Sequence, residues 1–116
     1  MESRDSKKVV GTVEEVVLRS AHGEKRVLAR IDTGAKLSSL DAKIAEELGL
    51  KEVSRIQKIR SSHGRSERPV VNVRVEVGGV EHFSEFTVID RSHMKYQVLI
   101  GRNVLENGFL VDASRK

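Results

Sequence analysis

Asp32-Thr33-Gly34 lies at the end of the apolar run Val27-Leu28-Ala29-Arg30-Ile31, so a strand delivers a carboxylate into a tight glycine turn with a hydroxyl beside it. A lone carboxylate, with an ordinary pKa of about 3.9, is a poor base at neutral pH. Two of them held about 3 Å apart cannot both ionise, and one keeps its proton across a wide pH range. The ionised member can then take a proton from a bridging water while the protonated member hydrogen-bonds a carbonyl. Water attacks, no covalent intermediate forms, and the titration belongs to the pair. Thr33 can donate its hydroxyl to hold the turn, and Gly34 lets backbone approach the carboxylates without a Cβ in the way. The chain contains one such tripeptide, so this chemistry needs a second carboxylate from another chain.

The elements that must position Asp32 read mainly with a period of two. Val9, Gly11, Val13 and Val16-Val17-Leu18 predict a strand with a bulge near Glu14-Glu15. A turn at Ser20-Ala21-His22-Gly23 leads into a second strand over 24–31, ending at Asp32. Ser38-Ser39-Leu40 reads as a short extended piece. Asp41 can cap a helix over 41–48, with Ile44, Ala45 and Leu48 on one face and Gly49 stopping it. Strands over 53–60 and 70–77 follow, separated by the polar tip Ser61-Ser62-His63-Gly64-Arg65. Gly78-Gly79 is a two-residue hairpin signal before a strand over 80–89. A loop over 91–95, a short strand over 97–100, a short helix over 102–106 and a last strand over 109–111 complete the chain. The expected fold is a small, mostly antiparallel, mainly β domain: a closed or partly closed barrel with one or two short helices. Residues 1–7 read as a polar N-terminal segment, 8–112 as a single domain and 113–116 as a polar tail.

At 116 residues the chain can bury a core without staples. Cysteine is absent, which excludes disulfides, thiolate metal sites and a cysteine nucleophile, and suits a reducing cytoplasm. The first eight residues are polar and charged, unlike a signal peptide, and no apolar run approaches membrane-spanning length. A soluble, cytoplasmic protein with no membrane partner is expected. The net charge is +4, unevenly spread: Arg55, Lys58, Arg60, Arg65 and Arg68 cluster with His63, opposed only by Glu67. Such a patch attracts an acidic partner, a peptide rich in Asp and Glu or a nucleic acid. No aromatic residue lies in it to stack bases, which makes nucleic acid the weaker reading.

About 70 residues after the Asp, Val98-Leu99-Ile100-Gly101-Arg102-Asn103 supplies an apolar strand, a glycine and a short helix. Together the two segments resemble the retropepsins, the single-domain, dimeric aspartic proteases of retroviral type. Asp32-Thr33-Gly34-Ala35 and Ile100-Gly101-Arg102-Asn103 match that pattern in residues, order and spacing. Arg60-Ser61-Ser62-His63-Gly64, Asp90-Arg91-Ser92-His93-Met94-Lys95 and the ending Phe109-Leu110-Val111-Asp112 narrow the resemblance. They are similar to a bacterial and archaeal branch often labelled ATP-dependent zinc protease, with members associated with an ATP-grasp ligase that adds glutamates to a ribosomal protein. Leu37 departs from that branch, where a small hydroxyl residue is more usual.

The resemblance implies a retropepsin-like closed barrel and a homodimeric aspartic peptidase. Asp32, Thr33 and Gly34 would be catalytic. A flap hairpin carrying Arg60, Ser61, Ser62, His63, Gly64 and Arg65 would bind substrate with Ala35. Ile100, Gly101, Arg102 and Asn103 would pack beneath the site, Arg102 as a structural ion-pair partner or as a clamp on a substrate carboxylate. The flap's charge favours Asp- and Glu-rich peptides or tails, and a functional link to a glutamate ligase follows from the branch. The apolar ends Lys7-Lys8-Val9-Val10 and Phe109-Leu110-Val111 would pair between protomers. The residues call for no cofactor. His22, His63, His82 and His93 are scattered, without His-Glu-x-x-His, and no Gly-rich loop with Lys-Ser/Thr awaits ATP. Two other classes remain: a non-catalytic binding module of the same fold for acidic tails or nucleic acid, and a metal-dependent hydrolase as the branch label states.

Overall fold

Val71, Val73, Val75 and Val77 are buried while Asn72 and Arg74 face outward. That alternation makes one side of the longest strand a wall of the core. The computed structural model describes residues 7–62 and 64–116. Their elements, in order, are β1 (Lys8–Val10), β2 (Val13–Ser20), β3 (Gly23–Ile31), β4 (Ser38–Asp41), α1 (Ala42–Glu47), β5 (Arg55–Ser61), β6 (Gly64–Val77), β7 (Val80–Ile89), β8 (Val98–Ile100), α2 (Arg102–Leu105) and β9 (Phe109–Val111).

Seven strands form one sheet in the order β2-β3-β8-β4-β7-β6-β5, and β2 pairs again with β6. The second pairing closes six strands into a barrel and leaves β5 as an appended edge. Its interior is apolar, with Val16, Leu18, Leu40, Phe86, Val98 and Ile100 fully enclosed. Burying such side chains contributes roughly 1.5–3 kcal/mol each against chain entropy. A mainly β, closed barrel with two short helices is the architecture expected from the sequence.

Several local expectations hold for the reasons given. Asp41 caps α1 by accepting from the Lys43 N–H at 3.2 Å, and Gly49, at φ +65°, ends it. Gly78 and Gly79, at φ +59° and +81°, make the two-residue turn between Val77 and Val80.

Three expectations change. No bulge interrupts β2: its register with β3 runs unbroken from Val13↔Arg30 to Ser20↔Gly23. The break falls earlier, at Gly11-Thr12, where the Glu14 carboxylate accepts from the Gly11 N–H at 2.7 Å. The sheet is also less uniformly antiparallel than alternation implied, since β3–β8, β4–β7 and β1–β9 are parallel. Sequence periodicity carries no record of strand direction. Finally, the two terminal strands pair with each other within one chain, Lys8↔Phe109 through Val10↔Val111, a pairing the sequence reading did not foresee. Val10 and Phe109 are both buried in the shared core, which draws the two segments together. The residues after β9 are docked as well: the Arg115 carbonyl accepts from the Thr12 N–H at 2.8 Å and its hydroxyl at 3.1 Å.

Candidate active site

β3 carries Asp32 to the barrel mouth, and β8 fixes its height, because the Asp32 N–H donates to the Ile100 carbonyl at 2.9 Å. The chain then turns sharply. Asp32 Oδ1 accepts from the Gly34 N–H at 2.9 Å, and a Cβ on Gly34 would stand 3.2 Å from that oxygen. Glycine thus lets the amide reach the carboxylate and hold it in place. Thr33 is exposed, and its carbonyl rather than its hydroxyl holds the turn, by accepting from Arg102 Nη1 at 3.0 Å.

The Ile100-Gly101-Arg102-Asn103 segment lies directly beneath. Main-chain N–H groups of Arg102 and Asn103 donate to the carbonyls of Ala35 and Lys36 at 2.8 and 3.2 Å. Gly101 is required there, since a Cβ would lie 2.7 Å from the Leu37 carbonyl oxygen and 2.8 Å from that of Ala35. Asn103 Oδ1 accepts from the Ser38 N–H and hydroxyl at 3.0 and 2.8 Å, while its Nδ2 donates to the Glu85 carbonyl at 2.8 Å. One amide side chain therefore ties β4, β7 and α2 together. Among the described residues Arg102 has no carboxylate in ion-pair contact, and its bond to the turn runs to the Thr33 carbonyl.

A groove of about 430 Å³ opens beside this turn. Ala35, Lys36 and Leu37, which directly follow Asp-Thr-Gly, line it together with Leu99. The flap contributes Arg55, Gln57, Ile59 and Arg68, and Ser39, Thr87, Ile89 and Arg91 contribute from the barrel. Four cationic residues border the groove, and no Asp or Glu is among its described lining residues.

Two of these arginines sit in different settings. Arg55 forms a fork with Glu85, with two bonds of 3.1 Å. The hydrogen bond raises the Arg55 pKa, and the same bond lowers that of Glu85. Arg91 is only 5% exposed. Burial pushes its guanidinium down from the ordinary value, and Arg30 and Arg68 push it further, while Asp41 and Asp32 oppose them.

The flap residues named from the sequence divide. The hairpin is longer than expected, with β5 running to Ser61 and β6 starting at Gly64. Arg60 pairs with Arg65, and Gln57 with Arg68. Directly opposed residues share a face and successive ones alternate. Gln57 and Arg68 thus face the groove, whereas Arg60 and Arg65 border a separate depression near the tip with Lys58 and Glu67. Ser62 and Gly64 are exposed and do not line the groove. Only the backbone of Ser61 is described, in register with Gly64, and His63 lies outside the described residues. Ala35 does line the groove. Sequence reading missed Arg91 and Ser39 as groove residues, although Arg91 stood inside a motif that carried the resemblance.

Among the described residues no three of His, Cys, Asp and Glu converge as a metal-binding group. No helix among them is long and apolar enough to cross a membrane.

Comparison with solved structures places the barrel among proteases. A protein of unknown function from Legionella pneumophila superposes with a TM-score of 0.63 at 20% identity, covering 92% of this chain and 94% of that one. The simian foamy virus protease gives 0.60 at 16% identity, covering 81% and 91%. The EIAV protease gives 0.58 at 20% identity, covering 82% and 85%. Among curated relatives, a protein named probable alpha-L-glutamate ligase from Shewanella pealeana is 32% identical over 95% of this chain, and one from Shewanella halifaxensis is 30% identical over the same share. The chain spans 29% of the length of either relative. Residues 44–116 match the family described as retropepsin-like aspartic endopeptidase RimB. With that match over most of its length and a barrel shared with retroviral proteases, the chain belongs to the RimB-like family of retropepsin-like aspartic endopeptidases.

Proposed function

We propose that the protein is a homodimeric aspartic peptidase in which each chain supplies one Asp32, and that it cuts acidic, Glu-rich peptides or tails. The observation that carries the reading is the Asp32 turn, a carboxylate held by the Gly34 N–H at the barrel mouth beside a groove bordered by cations. In the dimer, two such carboxylates share a proton and activate a water between them. The protonated one polarises the scissile carbonyl, the ionised one takes the water's proton, and the tetrahedral intermediate collapses as the amine leaves with a proton. Asp32 is the catalytic residue, Gly34 its positioning donor, and Arg102 and Asn103 act through the backbone that carries them.

The substrate class rests on the groove's charge and on the relatives named as glutamate ligases. A peptidase sharing that lineage would trim the glutamates that such a ligase adds. Charge-assisted hydrogen bonds from the groove would hold the acidic chain, with on-rates that fall as salt rises. A cytoplasmic setting fits such a ligase partner.

Synthetic peptides ending in several glutamates, compared with glutamine counterparts, test the reading. The wild-type protein is expected to cleave the glutamate peptides, and Asp32→Asn to cleave none while remaining a folded dimer in sedimentation. Activity retained in Asp32→Asn sinks the mechanism. Cleavage confined to neutral or basic peptides overturns the substrate class. Tight, salt-sensitive binding without cleavage at any pH marks a binding module.

A further inference from the structure

The arginines that border the groove are not equivalent. Arg55 is committed to Glu85 through two hydrogen bonds. Among the described residues, neither Arg68 nor Arg91 has a carboxylate in ion-pair contact. For Arg91 this matters because a nearly buried guanidinium loses hydration, and the charges of Asp41 and Asp32 reach it only from beyond ion-pair contact. Its Nε donates to the Tyr96 carbonyl at 3.1 Å, and Nη1 reaches the Ser39 hydroxyl only at 3.4 Å. Guanidinium carries five donors, so most of the fork is left over.

The nearest acids do not take it up. Asp41 Oδ1 accepts from the Arg91 main-chain N–H at 2.7 Å, and its Oδ2 accepts from the Lys43 N–H at 3.2 Å. The carboxylate thereby fixes the strand end, and it attracts the guanidinium, as Asp32 does, without bonding to it. Arg68 and Arg30 both lie close enough to repel Arg91. Arg68 and Arg91 thus bring like charges to one groove, beside the Ser39 hydroxyl and a short way along the chain from Asp32. Like charges gathered at a partly dry site are what a bound oxyanion needs and what an empty protein pays to hold.

We propose that Arg91, assisted by Arg68, is the carboxylate receptor of this groove and the specificity-determining residue for acidic substrate. Its planar fork takes a carboxylate of the peptide lying next to the Asp32 turn. That carboxylate is either a Glu side chain or the free end of a tail, and Arg68 supplies the second positive charge. The proposal rests on the peptidase reading above for the identity of the groove, and it assigns the discrimination to the barrel floor rather than to the flap tip.

Binding is best read in an Asp32→Asn background, by fluorescence anisotropy of three labelled peptides. One is a glutamate peptide with a free C-terminus, one the same peptide amidated, and one a glutamine peptide with a free C-terminus. Arg91→Gln and Arg68→Gln are each expected to weaken the free glutamate peptide about tenfold to a hundredfold, as loss of one charge-assisted bond does. If the amidated glutamate peptide loses as much, the receptor reads a side chain. If the free glutamine peptide loses as much as the glutamate peptide while amidation abolishes the effect, it reads the chain end. Arg91→Lys, which keeps charge and loses the fork, is expected to recover only part of the affinity. A merely structural Arg91 would move all three peptides together, and that result, or unchanged glutamate binding, overturns the proposal. Should Arg91→Gln fail to fold, as judged by thermal melting, Arg68→Gln and Arg91→Lys carry the same comparison. A protein that cleaves nothing yet keeps this discrimination fails as a peptidase and retains its receptor. A working peptidase whose Arg91→Gln variant binds the free glutamate peptide as tightly as the wild type loses the receptor alone.

Discussion

The Asp32 turn and the flap hairpin border one groove from two sides and are held in opposite ways. The turn is fastened from within: Ile100 accepts its first N–H, Gly34 caps its carboxylate, and α2 reaches three of its carbonyls. The flap projects from the barrel, with β5 bonded to β6 alone and most residues before Arg68 exposed. Its described side-chain anchor to the barrel is the Arg55–Glu85 fork. A reacting carboxylate must stay fixed to within tenths of an ångström, whereas a lid must part to admit a chain. Rigid and loose segments here fall where those two demands fall.

The contrast can be broken at its rigid end first. Asp32→Asn is expected to lower cleavage of Glu-rich peptides by about a thousandfold or more, with an unchanged melting curve. Asn103→Ala removes the acceptor for Ser38 and the donor to Glu85. It should cost about 2–4 kcal/mol in urea unfolding, because it strands partly buried groups. At the loose end effects should be smaller. Arg55 holds the Glu85 carboxyl below its ordinary value, so this contribution is fully present above the usual carboxylate range. It is lost as pH falls through the lowered folded-state value. Flap opening, read by hydrogen exchange of β5 amides corrected for intrinsic rates, should therefore rise in acid, and Glu85→Gln should remove that dependence. The pair is about two-fifths exposed, so solvent screening keeps the effect small. Smallest of all, Arg60→Gln and Arg65→Gln should change KM for a glutamate peptide less than about threefold. A tenfold rise would return recognition to the flap tip.

Features encoded over a few neighbouring residues were legible in the sequence. The Asp41 cap, the Gly49 stop, the Gly78-Gly79 turn and the Asp32 strand end each follow from side chains acting within one turn. The closeness of Asp32 to Ile100 was not of that kind. It depends on β8 inserting between β3 and β4, and only the resemblance to a known family pointed to it. The flap failed for a register reason. Once the strands extend to Ser61 and Gly64, the faces are set: Arg60 and Arg65 oppose one another, and Arg68 comes inward with Gln57. Arg91 was hidden by its type, since arginine in a polar loop gives no sign that β4 and the Tyr96 carbonyl will enclose it. Of the basic cluster read from the sequence, Arg55 and Arg68 line the groove, while Lys58, Arg60 and Arg65 face away from it.

β5 has a neighbour on one side only, so its other side presents a row of main-chain donors and acceptors to whatever strand comes near. Such an edge is a template for stacking copies into fibrils. Arg55, Lys58 and Arg60 spread positive charge along it, and two copies approaching edge to edge meet mutual repulsion. An extended acidic chain meets attraction at the same place. The basicity of the hairpin therefore opposes edge-to-edge stacking of copies.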